Sequence, residues 1–547
     1  MRSSPRSVTP VLSGILALFV AVLAISGRSS ASAYNGRPKL IVVIIIDQFR
    51  GDYLDRYRSQ FGDAGFRMLL DHGAYFPNCF YNYANTRTAP GHSTLFTGAY
   101  SNGHGIADNE WWDPRKRKMV TSVEDDATKL VGVDGNQAGA SPHNLLADTL
   151  GDELKLATQG KSRVFGISLK DRAAILPAGF AADGAYWIDP KTGVWITSTY
   201  YRDTLPEWVR DFNSSQPAKY WDREWKDSGN AVLASTAHRK SKDGSEAGFY
   251  EVIGATPFAN EYEFEFAKKL ITNENVARGP ATDLLSISLS ANDILGHRVG
   301  PDSPEMHQMA LDLDSELADF INFLGHQIGL ANVWMALSAD HGVASLPDAV
   351  KKLNIPAANL GGAKLQNDIN TALAQKFSRG RPTSFIKLDF PLAWLDPGAF
   401  VEAHLGEREA EAAVGEAMKQ AGLRGYYTKT QLAAGEVPDT ELGRKFLNSY
   451  SPEGSWYVMG IPDIYTVGSP TGTDHASPYN YDTHVPLAFY GVPFQAGTYR
   501  ERTEPVDLAA TLASLLGINP PTHSVGRVLI EGLAPSYGGA SPGESHP

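Results

Sequence analysis

Four apolar runs along the chain share one pattern. Leu40–Ile46 is continuous, the others are mostly apolar with polar interruptions at Ser168, Ser286 and Ser288, and each run leads into polar residues that can do chemistry. The runs are Leu40–Ile46, 164–169, 284–289 and 333–337. A continuous apolar run is typical of a strand that is buried on both faces, as in a parallel sheet. We therefore predict four central strands from these runs.

Periodic apolar positions between the runs predict helices. After Ser303 and Pro304, apolar residues recur every three or four positions, which places them on one helix face. Further helices are predicted at 145–156, opened by Ser141-Pro142, and at 506–516. Strands that alternate with helices indicate the α/β class, with a doubly wound, mostly parallel sheet flanked by helices.

Two regions interrupt this alternation, and we interpret both as inserted cap regions. Residues 186–258 are rich in Trp and Tyr, and residues 343–467 contain predicted helices at 365–377 and 407–421 and a short strand near Trp456. The catalytic core would then consist of three parts, and a Gly-, Pro- and Ser-rich tail after it is predicted to be disordered. The three core parts are 34–185, 259–342 and 468–532, and the last of them contains a predicted strand at 487–490. The tail is 533–547.

The first 33 residues have the pattern of a secretory signal peptide. Two arginines precede an apolar run at 11–25, and Ala-Ser-Ala at 31–33 matches a cleavage site. We expect a mature protein that begins at Tyr34 and is periplasmic or secreted. Elsewhere the sequence has no apolar run long enough to cross a bilayer, so we expect no membrane anchor after cleavage.

Charge and cysteine content limit the partners and the metal ligands. Cleavage removes three arginines and no acids, so the formal net charge changes from −12 to −15. An acidic surface does not attract nucleic acid or anionic membranes, so an anionic substrate would need local cations. The single cysteine, Cys79, excludes an internal disulfide and a thiolate metal cluster. Metal ligands must therefore be Asp, Glu or His.

Candidate ligands follow the predicted strands. Ligands of open α/β sheets bind at the carboxyl ends of the strands, and Asp293 and His297, four residues apart, can face one ion. Three carboxylates and three imidazoles form a set suited to zinc, and two trios would make a two-metal site. The six residues are Asp47, Asp293, His297, Asp340, His341 and His484.

The stretch at 85–98, NTRTAPGHSTLFTG, predicts a short helix with Pro90 in its first turn and Gly98 at its end. Thr88 fits an N-cap. It also fits a nucleophile, because the free amides of a helix N-terminus suit a phosphate, and a bound cation could help to remove the hydroxyl proton. The stretch alone leaves both interpretations open.

Six motifs in order resemble the alkaline phosphatase superfamily. They are TAPGH at 88–92, NEWWD at 109–113, SLKDR at 168–172, DILGH at 293–297, ADHG at 339–342 and YDTHVP at 481–486. The resemblance extends from about residue 38 to 530. It is strongest to the secreted bacterial alkaline phosphatases with a threonine nucleophile, which are related to nucleotide pyrophosphatase/phosphodiesterases. Departures from the pattern are Asp108 before Asn109 and Ala291-Asn292 before Asp293.

The resemblance implies an alkaline phosphatase-like fold with two zinc ions per subunit. One zinc would be held by Asp293, His297 and His484, and the other by Asp47, Asp340, His341 and the Thr88 oxygen. Thr88 would be the catalytic nucleophile, and the phosphate oxygens would be held by Asn109, Lys170 and Arg172. His92 and His475 would have structural or supporting roles.

The resemblance further implies a phosphatase that hydrolyses small-molecule phosphate monoesters through a phosphothreonine intermediate, and we expect it to act as a monomer. Lys170 and Arg172 are two residues apart, so on an extended chain both would point the same way.

Other activities make different demands on these residues. A nucleotide pyrophosphatase or phosphodiesterase would share the metals without needing Lys170 and Arg172. A sulfatase needs a modifiable Cys or Ser at position 88, and a membrane phosphoethanolamine transferase carries several membrane spans. A non-catalytic binding protein would leave the nucleophile and the metal ligands unexplained.

Overall fold

The computed structural model describes residues 37–135 and 137–538, and within them an eleven-stranded mixed sheet forms the centre of the molecule. Its five middle strands are parallel, and the strands beside them on both sides pair antiparallel. The order is Gly497–Thr498, Ala74–Phe80, His484–Tyr490, Val333–Ser338, Leu40–Ile46, Asp283–Leu289, Val164–Ser168, Gly184–Ile188, Trp195–Ser198, Glu124–Val131 and Ala138–Ala140. The predicted α/β class and mostly parallel sheet are confirmed.

The four apolar runs form neighbouring strands, as predicted. Every residue of Leu40–Ile46 is buried, and this strand pairs with Asp283–Leu289 on one side and Val333–Ser338 on the other. Because these strands are parallel and in register, their carboxyl ends reach the same edge of the sheet. The residues that follow them are thereby brought together.

Helices cover both faces of the sheet. The α-helices are Tyr53–Tyr57, Phe66–His72, Thr88–Thr97, Ser101–His104, Leu150–Ala157, Asp171–Ala178, Glu207–Ser215, Phe249–Val252, Pro257–Asn273, Ala291–Val299, Pro304–Gln327, Pro347–Lys351, Gly362–Phe377, Pro397–Glu402, Glu407–Gln420, Lys429–Ala433, Glu441–Ser449, Asn480–Thr483, Asp507–Leu516 and Pro535–Gly538. Short 3-10 helices lie at Arg58–Gln60, Pro217–Tyr220, Leu330–Asn332 and Ile530–Gly532.

Local capping explains where two of the helices begin. Ser303 caps Pro304–Gln327 by accepting the N–H of Met306, as the Ser-Pro signal predicts. The helix predicted at 145–156 begins later, at Leu150. Thr149 and Asp152 form a capping box there, and Pro142 starts only a turn.

The first predicted insertion, 186–258, differs from expectation. Its first part supplies the strands Gly184–Ile188 and Trp195–Ser198 of the main sheet, and a small hairpin, Glu224–Lys226 with Val232–Ser235, follows. Aromatic residues of this region pack on the helix Pro257–Asn273. Trp195, for example, stacks on Phe266 with ring centroids 3.9 Å apart. The region therefore joins the main core and does not form a separate cap.

The second predicted insertion, 343–467, has its own hydrophobic core, and we call it the inserted subdomain. Its antiparallel sheet has the order Ile386–Asp389, Leu392–Leu395, Tyr457–Ile461 and Gly425–Thr428. The helices Gly362–Phe377 and Glu407–Gln420 contribute to this core and agree with the predicted ones. Two further strand pairs in the chain are Ala358–Asn359 with Thr466–Val467 and Glu110–Asp113 with Lys118–Thr121.

The two ends of the chain are described in part. The predicted signal peptide, 1–33, lies outside the described residues, and so do residues 539–547. The described part of the tail is ordered, because Ala534 donates its N–H to the carbonyl of Pro493 and Pro535–Gly538 is helical. Among the described helices, none combines the length and the apolar character needed to cross a membrane.

Candidate active site

The carboxyl ends of the parallel strands meet at one site, which is the edge where open α/β sheets bind ligands. Asp47 directly follows Leu40–Ile46, and Lys170 comes two residues after Val164–Ser168. Asp293 lies in the first turn of the helix after Asp283–Leu289. Asp340 lies two residues after the end of Val333–Ser338. The sheet topology therefore brings together the side chains that the sequence analysis identified as candidate ligands and phosphate-binding residues.

Thr88 is the first residue of the helix Thr88–Thr97. The N-cap position belongs to Arg87, which makes no side-chain capping bond, so the interpretation of Thr88 as a cap is wrong. Thr88 lines a cavity of about 340 Å³ at the strand ends. A Cβ atom on Gly91 would lie 2.3 Å from the carbonyl oxygen of Asp340, so glycine is what lets the helix start come this close to the strand end.

Asp293, His297 and His475 form a first cluster of possible metal ligands. The Nε2 atoms of His297 and His475 lie 3.1 and 3.9 Å from Oδ1 of Asp293. Their Nδ1 atoms lie 3.0 Å from the carbonyl of Thr473 and 2.6 Å from the carbonyl of Thr86. A carbonyl oxygen only accepts, so Nδ1 carries a hydrogen in both rings and Nε2 is the ring atom directed at the cluster.

Asp47, Asp340 and His341 form a second cluster. The Nδ1–H of His341 donates to the carbonyl of Gly342 at 2.9 Å. Its Nε2 lies 3.5 Å from Oδ1 of Asp47 and 3.5 Å from Oδ2 of Asp340. These three atoms are buried and have no hydrogen-bond partner within the described ranges 37–135 and 137–538. Buried polar atoms are normally paired, so three converging acceptors indicate a site for a cation.

Lys170 lies between the two clusters. Its Nζ donates to Oδ2 of Asp47 at 2.5 Å and to Oδ2 of Asp293 at 2.6 Å. Burial alone would lower the pKa of Lys170, but the Asp293 and Asp47 carboxylates raise it above its ordinary value. The site thus concentrates negative charge that requires positive charge nearby.

Groups in both clusters have shifted pKa values. Burial alone would lower the pKa of His297, but the Asp293 carboxylate raises it from 6.5 to about 9. Burial, together with Asp293 and Asp340, raises the pKa of Asp47 well above its usual range. Burial and the neighbouring His341 and His297 hold the pKa of His475 well below its usual range. His475 is therefore neutral, which is the form of imidazole that binds a metal.

The structure places His484 elsewhere, and its predicted place in the first cluster is wrong. Its Nε2 donates to the carbonyl of Pro77 at 2.6 Å, and its ring stacks on Phe80 at 4.5 Å. It lines a different cavity, of about 670 Å³. His475 takes the position assigned to it. The sequence does carry a signal for this, since Asp474-His475 repeats the Asp-His pair of 340–341.

Asn109, Lys170 and Arg172 line the same cavity as Thr88. Lys170 is the N-cap of the helix Asp171–Ala178 and Arg172 is its second residue, so the argument from an extended chain is wrong although both side chains reach the cavity. The full lining is Arg87, Thr88, Asn109, Lys170, Arg172, Tyr250, Asp293, Ile294, His297, Asp474 and His475.

Two residues around the ligands were assigned no role from the sequence. Gln48 donates its backbone N–H to Asp340 at 3.0 Å and its side-chain amide to Asp293 at 2.6 Å, so it links the two clusters. It does so with φ 63, a left-handed conformation that is strained for a residue with a side chain. Asn292 donates to the carbonyl of Asp47 at 3.0 Å.

His92 lies within the helix Thr88–Thr97 and links it to the strand Asp283–Leu289. Its ring is fully buried, with Nδ1 2.8 Å from the carbonyl of Thr88 and Nε2 2.7 Å from the hydroxyl of Ser288. Both ring nitrogens are thus used within the protein, which agrees with a structural role.

Similarity to known proteins covers both the core and the inserted subdomain. A model of the type I phosphodiesterase / nucleotide pyrophosphatase family matches residues 41–424. The alkaline phosphatase PhoV of Synechococcus elongatus is 34% identical over 521 residues, which is 90% of this chain and 93% of PhoV. The alkaline phosphatase PafA of Elizabethkingia meningoseptica is 33% identical over 540 residues, or 93% and 97% of the two chains. The crystal structure of wild-type PafA matches with a TM-score of 0.81 at 32% identity and covers 91% of this chain and 99% of that one.

Proposed function

The chain belongs to the type I phosphodiesterase / nucleotide pyrophosphatase family, and from its site we propose that it is a dizinc alkaline phosphatase that hydrolyses phosphate monoesters. One observation carries the proposal: a threonine at a helix start shares a single cavity with three phosphate-binding candidates and with members of the first cluster. The alkaline phosphatases PhoV and PafA, similar over nearly the whole chain, support the same activity.

Both clusters fit zinc by the chemistry of their donors. Asp293, His297 and His475 would hold one ion, and Asp47, Asp340 and His341, with the Thr88 oxygen, would hold the other. Carboxylate oxygens and Nε2 lone pairs are ordinary zinc ligands, and the three buried atoms of the second cluster find no hydrogen-bond partner in the part of the chain that the structure describes. When bound, such ions lower the pKa of hydroxyl groups and water and stabilise negative charge on oxygen.

The chain's own residues define the course of the reaction. The Thr88 oxygen attacks phosphorus in line, the ester bond breaks, and the alcohol leaves, which gives a phosphothreonine. Water then attacks phosphorus and releases inorganic phosphate and the Thr88 hydroxyl. The proton that Thr88 loses returns when the hydroxyl is restored, and water supplies the proton of the alcohol. The net reaction is hydrolysis of one ester bond by one water molecule.

The phosphate oxygens are held by Asn109, Lys170 and Arg172 while charge accumulates on them. Preorganised donors of this kind contribute most when they face the charge that develops in the transition state. The free amides at the start of the Thr88–Thr97 helix add positive potential at the same place.

A phosphodiesterase is the second candidate, because the description of the matching family names that activity. The deciding experiment compares kcat/KM for p-nitrophenyl phosphate, bis(p-nitrophenyl) phosphate and p-nitrophenyl sulfate. We expect the monoester to be preferred. A preference for the diester would move the phosphodiesterase ahead, and activity on none of the three with zinc bound would favour a binding protein.

We also propose that the enzyme is exported and acts as a monomer. The sequence pattern of residues 1–33 supports export, and an intact mass beginning at Tyr34 would test it. One chain supplies all residues of the two clusters, which supports a monomer. Light scattering of the purified protein tests the monomer.

A further inference from the structure

Arg87, which directly precedes Thr88, carries a buried guanidinium group that the phosphatase mechanism does not use. One of its terminal nitrogens donates to Oδ1 of Asp389 at 2.8 Å and also to the carbonyl of Phe390. Its Nε lies 3.3 Å from Oδ1 of Asp108. Asp389 is the last residue of one strand of the inserted subdomain, and Phe390 begins the turn to the next strand. That subdomain therefore makes an ionic contact one residue away from the nucleophile.

Asp108 extends this contact to the phosphate-binding side of the site. Its carboxylate is fully buried, and its Oδ1 also accepts the backbone N–H of Asn109 at 2.7 Å. The side chain of Asn109 in turn accepts the N–H of Ala89 at 2.8 Å. The contacts from Arg87 through Asp108 and Asn109 to Ala89 are closed into a ring by the backbone of Thr88, which joins Arg87 to Ala89.

The ring fixes two groups whose separation matters for catalysis. Thr88 must reach phosphorus while Asn109 holds a phosphate oxygen, and a misplacement of about 1 Å can reduce a rate by about 100-fold. Asp389 is the member of this arrangement that comes from outside the core. With a neutral amide at position 389, the buried guanidinium would lose a charged partner and shift toward Asp108.

We propose that Asp389 is a positioning residue, which holds Arg87 and, through Asp108, sets the placement of Asn109 relative to Thr88. This inference rests on the proposed phosphatase function. It makes the inserted subdomain part of the catalytic geometry. A purely structural ion pair would have a different consequence, because its loss would affect stability or the amount of active enzyme without depending on Asn109.

The test is a double-mutant cycle in the full-length, zinc-loaded enzyme with p-nitrophenyl phosphate. The variants are Asp389→Asn, Asn109→Ala and the double variant. Asp368→Asn is the matched control, because it makes the same change in an exposed ion pair of the same subdomain. Asp389→Asn alone should lower kcat/KM about tenfold or more, but by less than about threefold in the Asn109→Ala background, since residues that act through one another are not additive. Asp368→Asn should stay near wild type.

A second pair of measurements separates positioning from folding. The inhibition constant of inorganic phosphate should weaken in Asp389→Asn and should not weaken further in the double variant, and Arg87→Lys should couple to Asn109→Ala in the same way. Equal losses from Asp389→Asn with and without Asn109 would overturn the inference, as would a loss explained by a fall in melting temperature alone. If wild type itself hydrolyses no monoester, the proposed function fails instead.

Discussion

Asn109 accepts the backbone N–H of Ala89 through its side-chain Oδ1 at 2.8 Å, and this contact determines which way the Asn109 amide faces. The Nε–H of Arg172 donates to the same oxygen at 3.1 Å. Both partners are donors, so the oxygen is occupied and the NH₂ group is left for the cavity that Asn109 lines. In the proposed reaction, the Asn109 NH₂ group can therefore donate to a phosphate oxygen while its Oδ1 stays bound to the helix Thr88–Thr97.

The first prediction compares two substitutions of Asn109. Asn109→Ala removes one donor to a charged oxygen, worth roughly 1.5–3 kcal/mol, so kcat/KM for p-nitrophenyl phosphate should fall about 10- to 150-fold. Asn109→Asp keeps the acceptor for Ala89 and Arg172 but faces the phosphate with negative charge, so its loss should be larger. Steady-state kinetics of both variants decide this. An Asp variant more active than the Ala variant would mean that the NH₂ group does not face the substrate.

Much of the fold could be predicted from the sequence because buried parallel strands are visible in it as apolar runs. A strand buried on both faces is mostly apolar along its whole length, and Leu40–Ile46 agrees with its predicted bounds residue for residue. The region 186–258 was harder because its aromatic residues pack on a helix distant in sequence. No local sequence pattern around Trp195 or Phe266 predicts that the two rings stack on each other.

The site residues divide in the same way. Asp47, Lys170 and Asp340 follow buried strands, so their convergence follows from topology. His475 lies in an irregular stretch between Val467 and Asn480, without periodicity to orient it. The hydrogen bond from Nδ1 of His475 to the carbonyl of Thr86 turns the Nε2 atom toward Asp293. Thr86 is far from His475 in the sequence, so no local pattern indicates this orientation. In the sequence, only the Asp-His pair at 474–475, which repeats the pair at 340–341, favours His475 over His484.

The second prediction concerns these two histidines. His475→Gln removes a lone pair that faces Asp293, so the variant should bind close to one zinc fewer than wild type and lose activity. His484→Gln retains a side-chain N–H that can donate to Pro77, so it should keep wild-type zinc content. Elemental analysis after dialysis measures both without relying on turnover. Zinc loss in the His484 variant alone would restore the assignment made from sequence.

The third prediction concerns Thr88. Thr88→Ala should lose essentially all turnover, and Thr88→Ser should keep some, because serine retains an ionisable hydroxyl at the helix start. Acid quench during turnover, followed by mass spectrometry, should yield a peptide phosphorylated at Thr88. Wild-type turnover in Thr88→Ala would show that the residue serves only the helix.

The fourth prediction concerns stability in acid and rests on His104, away from the metal ligands. Its Nδ1 accepts the N–H of Ile106 at 3.1 Å, and its Nε2 lies 3.2 Å from the hydroxyl of Thr94. Burial lowers its pKa from 6.5 to about 3. Because the folded pKa lies below the unfolded one, the stabilisation is complete above pH 6.5 and is lost as the pH falls from 6.5 toward 3.

In His104→Asn, which cannot titrate, the stability advantage of wild type at pH 7 should shrink at lower pH. The slope is about 1.4 kcal/mol per pH unit below the unfolded pKa, so the advantage should shrink by about 2 kcal/mol by pH 5. Urea unfolding of both proteins at several pH values measures this. Acid release of metal affects both proteins alike and cancels in the difference. A difference that stays constant with pH would show that folding does not lower the pKa of His104.

The last prediction is that Lys170 and Arg172 make the enzyme prefer monoesters to diesters. A monoester dianion presents three non-bridging oxygens, whereas a diester has two and less charge. The metal ligands and Asn109 serve both substrates, so they discriminate weakly. Both cations line the cavity beside Thr88, where the third oxygen has to be met.

Each charge-assisted hydrogen bond is worth roughly 1.5–3 kcal/mol, so two of them should favour monoesters by about two to four decades in kcat/KM. Replacing Lys170 and Arg172 together with Ala should remove most of this preference, with monoester kcat/KM falling far more than that for bis(p-nitrophenyl) phosphate. Lys170 also neutralises Asp47 and Asp293, so zinc content must be measured in the same variant. If zinc is retained and kcat/KM falls equally for both substrates, Lys170 and Arg172 stabilise the carboxylates and do not bind the third phosphate oxygen. The preference for monoesters would then have to arise elsewhere in the cavity.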